Sequence, residues 1–515
     1  MAAEIQKLLA FLIAFLRDAM DGELCYTLLL VADVILLCVI LYLLDRAGVI
    51  RSCIIRTLKR ASSASPSRGG EETPKKVEKE EENVSVVSTD KQHPGASFTG
   101  DWNAFVDAFH TRSAHVPFPS IEVASPVSPE TAEALVADPG LGVAALLADC
   151  RDAVKRRELA REFLARFQEP ESEWRDASAL LTAASDTTYW VVGDVHACIS
   201  AIAKVCAVIA DRHRRGLTKE RNVIVLLGDY VDRGAEPLET LAFIESLRLR
   251  PLFAGLEVVT LAGNHDVGLS RDADGKYASM VSPSETATFF QSCVDAGKDV
   301  SVEAEAAMRL AAVSPRMCEL TGIDPNDANR TMLFVHAGVP HVDLQERLYA
   351  VRRGMAAGVP FFQMLANESV TDDLRRACAE DFTWVRFAKD LPVKRPNRGS
   401  HGCEIGTEDV AQYLFLHRAL TSRDITFVFR GHDHERAGFA CYSPHPVLNP
   451  TTKKFVQREC NVLTLNTMEP NDSSGGMFRE RDLAFAEWSL GEPVRLHRIV
   501  TRHLGSSAIA RTPQS

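Results

Sequence analysis

Val225-Leu226-Leu227-Gly228-Asp229-Tyr230-Val231-Asp232-Arg233-Gly234 is the stretch from which the rest of the chain can be read. Residues 223–227 are unbroken apolar and rich in β-branched side chains, the pattern of a strand buried on both faces. The run then turns abruptly polar, with two carboxylates, an arginine and a glycine. In open α/β sheets the crevice beyond the carboxyl ends of the strands is where ligands bind. Taken alone, such a turn is equally an ordinary solvated loop. The same sequence grammar recurs, however, at four further places. Tyr189-Trp190-Val191-Val192 leads into Gly193-Asp194-Val195-His196, and residues 256–261 lead into Gly263-Asn264-His265-Asp266. Residues 332–335 lead into His336-Ala337-Gly338, and residues 425–429 into Arg430-Gly431-His432-Asp433-His434. Five strand ends carrying Asp, Asn and His are a set, and the set predicts an α/β fold with a polar site at its strand ends.

Between these strands lie helical patterns, residues 199–215 and 237–249, which imply βαβ crossovers and a largely parallel region. Residues 462–466, 484–490 and 494–500 read as further strands, expected to form a second sheet that closes the domain as a β-sandwich. Upstream, residues 142–167 carry apolar positions at helical spacing with Pro170 just past the end, and a shorter helical pattern covers 173–184. Residues 267–329 read as mixed helix and loop on the substrate side.

A chain of 515 residues exceeds one average domain and can bury a full core. The net charge of −11 argues against nucleic acid as a partner, which wants a basic face. Twelve scattered cysteines without paired spacing suit free thiols in a reducing compartment.

The amino terminus differs in kind. Residues 25–44 contain one charge, Asp33, and have the length of a bilayer-spanning helix. Arg46, Arg51, Arg56, Lys59 and Arg60 follow it, whereas Asp18, Asp21 and Glu23 precede it, so the carboxyl side is expected to face the cytosol. A cleaved signal peptide over residues 8–16, or a buried core helix, are the competing readings. Asp33 is costly in lipid unless paired, and it marks a candidate contact with a partner helix. Residues 61–98 are rich in Ser, Pro, Glu and Lys, too poor in apolar side chains to offset chain entropy, and read as a disordered linker. The expected domains are a membrane anchor with a basic juxtamembrane segment over 1–60, the linker over 61–98 and a helical region over 99–188. The catalytic domain follows over 189–503, with a flexible tail over 504–515.

Asp, His, Asp, Asn, His and His at strand ends are a two-metal ligand set of hard oxygens and imidazoles. One cation would take Asp194, His196 and Asp229, the other Asp229, Asn264, His336 and His432, with Asp229 bridging. Two such ions, about 4 Å apart, clamp the attacking and leaving oxygens of an in-line displacement at phosphorus, a bridging hydroxide being the expected nucleophile. His265, next to a ligand, is the candidate general acid, oriented by Asp232; Arg233 and a downstream arginine would hold phosphoryl oxygens.

GDVHA, GDYVDRG, GNHD, HAG and RGH together resemble the motifs of the PPP-type serine/threonine protein phosphatases of the calcineurin-like metallophosphoesterase superfamily. The resemblance covers residues 189–500, and GDYVDRG agrees at every position. It implies a metallophosphoesterase-like β-sandwich flanked by helices and two divalent metal ions, Mn, Fe or Zn. The segment from Asn397-Arg398-Gly399 to Val410 resembles the part of that family in which an arginine contacts phosphate, which gives that role to Arg398. Departures from the pattern fall on the substrate side. Ala197 and Ala337 replace glycines, Asp266 stands where Glu is usual, Ala262 takes the place of an arginine, and residues 464–468 lack Asn-Tyr-Cys. His434, two residues beyond His432, is similar to the second His of the superfamily's GHxH and is a candidate extra metal ligand or a surface histidine. The expected function is a membrane-anchored phosphatase of phosphoserine and phosphothreonine proteins. A nucleotide or dinucleoside-polyphosphate phosphohydrolase is the alternative, although that branch carries Asn-Lys-Gly where this chain has Asp232-Arg233-Gly234. A non-catalytic membrane scaffold is the third reading.

Overall fold

In a strand whose two faces are both covered, no position needs to be polar, and Thr187–Val192 is buried throughout. Its side chains nevertheless divide by period two. Trp190 and Val192 enter one core, and Tyr189 and Val191 enter another. Arg221–Leu226 repeats the division, with Ile224 and Leu226 on one side and Val223 and Val225 on the other. The apolar runs of the sequence are therefore central strands lying between two cores.

The computed structural model describes residues 120–168, 178–271, 277–279, 301–352, 365, 370–388, 394–396, 402–435, 438–442, 447–448, 455–456, 461–467 and 482–500. All of them belong to one unit, Ser88–Ser515. Two six-stranded sheets dominate it. The first runs in the order Ile121–Val123, Val494–Ile499, Leu483–Ser489, Thr187–Val192, Arg221–Leu226, Leu256–Thr260. Its last three strands are parallel, in the βαβ manner, through the helices Ile199–Arg214 and Pro237–Leu249. The second runs in the order Phe439–Tyr442, Asn461–Leu465, Asp424–Arg430, Arg330–Val335, Met317–Thr321, Ser178–Thr182. One core, including Leu227, Phe334, Phe429, Leu463 and Ala486, draws on strands of both sheets. A second core covers the other face of the first sheet with helices, and a third does the same for the second sheet with Val342–Arg352, Asp372–Trp384 and Thr407–Thr421. The result is helices, sheet, sheet, helices: a sandwich flanked by helices.

The predicted helical layer is present as Pro129–Ala137, Val143–Arg151 and Ala153–Arg166. The pattern over 142–167 is two helices rather than one. Asp152 leaves the helical conformation and its carboxylate accepts the backbone N–H groups of Val154 and Lys155 at 2.9 and 3.1 Å, starting a new helix. The layer is fixed by Arg156, which is buried and bonds Glu303 at 2.7 Å and Glu239 at 2.9 Å.

Three expectations are corrected. Residues 178–182, read as helical, form the strand Ser178–Thr182, because each of its five residues pairs in parallel register with Met317–Thr321. Strand pairing supplied by a segment about 140 residues away in sequence overrides local periodicity. That partner strand lies in the stretch 267–329, whose sequence predicts mixed helix and loop. The tail strands also do not form one sheet. Asn461–Leu465 lies in the second sheet, while Leu483–Ser489 and Val494–Ile499 extend the first by antiparallel pairing. Among the described residues no helix is long and apolar enough to cross a membrane. The span expected over 25–44, with Asp33, lies outside the described residues, as do the linker and Arg398.

Candidate active site and metal centre

Every predicted ligand sits just beyond the carboxyl end of a strand, Asn264 at the start of the short helix Asn264–Val267. Seven described non-glycine residues have positive φ, and six of them are His196, Ala197, Asp229, Asp232, Arg233 and His432. L-residues adopt this conformation at a cost of about 1–3 kcal/mol each, and clusters of it mark sites where geometry overrides local preference. Two glycines are required by close approach. A Cβ on Gly431 would lie 2.0 Å from Asp194 Oδ1, and one on Gly263 would lie 2.2 Å from Asp229 Oδ1.

Asp194, His196, Asp229, Asn264, His265, His336 and His432 are all buried and come together. Asp194 follows Thr187–Val192, and its carboxylate accepts the His432 backbone N–H at 2.9–3.0 Å, which joins the first sheet's strand end to the second's. Gly193 N–H donates to Thr467 Oγ1 at 3.0 Å, a second tie between the sheets. His196 Nδ1 lies 3.1 Å from the Val231 carbonyl, so this nitrogen is the donor and Nε2 is the bare one. Nε2 lies 3.4 Å from Asp229 Oδ2 and 3.9 Å from Asp194 Oδ2, and has no hydrogen-bond partner among the described residues. His336 repeats the device: Nδ1 is 3.0 Å from the Leu227 carbonyl, leaving Nε2 at 3.4 Å from Asp229 Oδ1 and 3.0 Å from Asn264 Oδ1. His432 turns Nδ1 to the same place, 3.1 Å from Asn264 Oδ1 and 3.3 Å from His336 Nε2. Backbone carbonyls thus choose the tautomers of His196 and His336 that a cation needs.

Two ligand clusters result, Asp194/His196/His434 and Asp229/His336/His432, and a third, His196/Asp229/His265, lies between them. Asp229 contributes Oδ1 to one side and Oδ2 to the other. His434, predicted either as a ligand or as a surface residue, belongs to the first cluster, with Nε2 3.3 Å from Asp194 Oδ2. The donor set fits two divalent cations: carboxylate, amide and imidazole groups converge on a buried orphan nitrogen.

Electrostatics agree with that fit. Burial, then the Arg233 guanidinium, holds His196 well below the usual imidazole range, so it is neutral as a ligand must be. Burial alone would raise Asp229, but His336 and His265 hold it well below the usual carboxylate range. His336 is opposed by burial, yet the Asp229 and Asp194 carboxylates push it up to about 9, so this pair attracts a positive charge.

Beside the clusters, His265 Nδ1 lies 2.7 Å from Asp232 Oδ2, and its Nε2 lies 3.9 Å from Asp229 Oδ2. Arg233 reaches across: one guanidinium nitrogen is 2.8 Å from His434 Nε2, and the other 3.3 Å from His265 Nε2.

Two supporting residues were not assigned a role from the sequence. Asp266 accepts the backbone N–H groups of Asp229, Tyr230 and Gly263 at 2.7, 2.9 and 2.9 Å, locking two ligand-bearing turns together. Burial and the neighbouring Asp229 push it up to about 7. Asp433 bonds Arg430 at 2.6 Å and Arg386 at 2.9 Å, fixing the turn that carries His432 and His434. Both carboxylates were visible within GNHD and GHDH, but a carboxylate that serves backbone N–H groups leaves no periodic signal.

Clusters that share one carboxylate, lined by a histidine–carboxylate pair and an arginine, define a binuclear phosphoester-hydrolysing centre. The family model of the calcineurin-like phosphoesterases matches residues 187–436, which span every candidate ligand described above. The chain carries a calcineurin-like metallophosphoesterase domain and is a metal-dependent phosphoester hydrolase of a family that uses two divalent metals. No curated protein matches its sequence. Similar solved structures include a protein serine/threonine phosphatase from Saccharomyces cerevisiae described as similar to human phosphatase PP5. It is 13% identical, with 72% of this chain and 92% of that chain covered at a TM-score of 0.39. A cold-active protein-tyrosine phosphatase of a psychrophilic Shewanella is 13% identical, with 62% and 81% covered and a TM-score of 0.31. A putative diadenosine tetraphosphatase is 12% identical, with 63% and 99% covered and a TM-score of 0.27. At TM-scores this low none of them bears on what this chain does.

Proposed function

We propose that the chain is a membrane-tethered, PPP-like protein serine/threonine phosphatase that hydrolyses phosphate monoesters. The observation that carries this reading is the buried Asp232–His265 pair lying beside Arg233 at the shared carboxylate Asp229. In this reading Asp194, His196 and Asp229 would hold one cation, with His434 within reach, and Asp229, Asn264, His336 and His432 would hold the other. When bound, the cations supply Lewis acidity at the phosphoryl group and acidify the attacking water. Arg233, and Arg398 by resemblance, orient the phosphoryl oxygens. His265 Nε2 delivers a proton to the leaving oxygen, and Asp232 holds the ring through Nδ1–H. Residues 25–44 tether the domain, with the Arg- and Lys-bearing side in the cytosol.

One observation favours a nucleotide or dinucleoside-polyphosphate substrate instead. Ala262 is fully buried, and its backbone N–H donates to the Pro315 carbonyl, at a position where the resembling protein phosphatases carry a phosphate-binding arginine. The deciding experiment is Mn-dependent turnover by the full chain on a panel of phosphopeptides and dinucleoside polyphosphates, with Asp229→Asn as the blank. Phosphopeptide preference supports the proposal, and nucleotide preference replaces it with the second reading. Bound metals with no turnover on any phosphoester would make the chain a scaffold. Carbonate extraction and protease protection test the tether: release into the soluble fraction would remove it.

A further inference from the structure

A second constellation lies away from the strand ends just described. His341, Asp381 and Cys403 each place one ligand atom within 4.8 Å of the others. They come from three separate elements: the turn after His336, the helix Asp372–Trp384, and the strand Cys403–Ile405. Asp381 and Cys403 are buried, and His341 is largely so. His341 Nδ1 lies 2.6 Å from Asp381 Oδ2, and the same oxygen accepts the His341 backbone N–H at 2.9 Å. The other ring nitrogen faces Asp343, 3.8 Å away on the surface. The Cys403 thiol has no hydrogen-bond partner among the described residues.

We propose that His341 Nδ1, the Asp381 carboxylate and the Cys403 thiolate form a third, zinc-class metal site, separate from the two-metal centre. The chemistry of the donors decides the metal. A thiolate with an imidazole and one carboxylate suits zinc, and a thiolate is a poor partner for Mg or Mn. Zinc bond lengths of about 2.0–2.2 Å at tetrahedral angles set ligating N and O about 3.3 Å apart, so the His341–Asp381 contact needs to open by about 0.7 Å. Asp343, the carboxylate nearest the outer ring nitrogen, is bonded to Lys394 at 3.2 Å. Binding releases the thiol proton, and the proton that His341 Nδ1 shares with Asp381 moves to Nε2, which leaves a neutral ring whose Nδ1 lone pair faces the cation.

The site has a structural consequence for the catalytic centre. Its three ligands join the Ala337–His341 turn, which begins next to the ligand His336, to the helix and strand behind it. The same turn is already tied to that helix, because Ala337 N–H donates to the Phe382 carbonyl at 2.8 Å.

The test is made on the full chain with Co²⁺ and Zn²⁺ alone. None of the residues placed in the two-metal centre is a cysteine, so a thiolate-to-cobalt charge-transfer band cannot come from that centre, and its loss in Cys403→Ser separates the new site from the other thiols of the chain. The expected result is that band in the wild type, three metal ions per chain by elemental analysis, and two ions with no band in Cys403→Ser and in His341→Ala. Wild-type protein that binds two ions and shows no thiolate band overturns the proposal, whatever the variants do. A band that survives in folded, catalytically active Cys403→Ser overturns it as well.

Discussion

Replacing Asp232 with Asn tests whether His265 is a proton donor held by its carboxylate. The two side chains are 2% and 0% exposed and 2.7 Å apart, so their hydrogen bond is screened by almost no water. A hydrogen bond to a charged group contributes about 1.5–3 kcal/mol, and it is strongest when His265 is an imidazolium. Each 1.36 kcal/mol withdrawn from the transition state is tenfold in rate, so Asp232→Asn should lower kcat by about 10- to 150-fold. His265→Ala should lower it by about 10²–10⁴-fold. Because Asp232 acts through His265, adding Asp232→Asn to His265→Ala should change kcat by less than about threefold, a strongly non-additive cycle. The assay is steady-state turnover of phenyl phosphate and p-nitrophenyl phosphate, with metal content measured for each variant. Nitrophenolate leaves without help, so both single effects should shrink on that substrate. Equal losses on the two substrates, or an undiminished Asp232→Asn effect in the His265→Ala background, would refute the proton-donor assignment. Loss of metal from His265→Ala would instead move His265 into the ligand set.

Asp229→Asn should remove both cations together and abolish activity, since its two oxygens face different clusters; elemental analysis showing two retained ions would count against the shared role. Gly431→Ala puts a methyl group against Asp194 Oδ1, and it should cost about 1–3 kcal/mol of stability and weaken metal binding, read by thermal melts with and without Mn. Away from the site, burial and then Glu303 push Glu245 up to about 8 from 4.5, so the folded state keeps a proton that the unfolded chain releases. Stability from this group is therefore lost as pH rises from about 4.5 to 8. Glu245→Gln should flatten that loss, with its largest gain over wild type, on the order of a few kcal/mol, near pH 8 in chemical denaturation. A gain that is independent of pH would show that Glu245 is charged in the folded protein.

What could be read in advance follows from locality. Residues 223–227 end in a carboxylate within a few positions, so strand and site residue are coded together, and the ligand-bearing segments were legible from that grammar alone. The same holds for Asp194, Asn264, His336 and His432, each at the end of an apolar run. Pairing partners are not local. Ser178–Thr182 is a strand because Met317–Thr321 lies beside it, and no property of residues 178–182 announces this. The division of the tail between two sheets was hidden for the same reason. Tertiary structure also decided which nitrogen of His196 and His336 is bare, because carbonyls of Val231 and Leu227 choose it. It brought His434 next to Asp194, where the GHxH spacing leaves both a ligand and a surface histidine open, and gave Asp266 three backbone donors, which spacing could not supply. By itself the sequence determined which side chains can carry the chemistry, since residue type sets what can ligate or transfer a proton. Only the fold decided their mutual distances, their tautomers and their dry surroundings, because those depend on segments that meet from opposite ends of the chain.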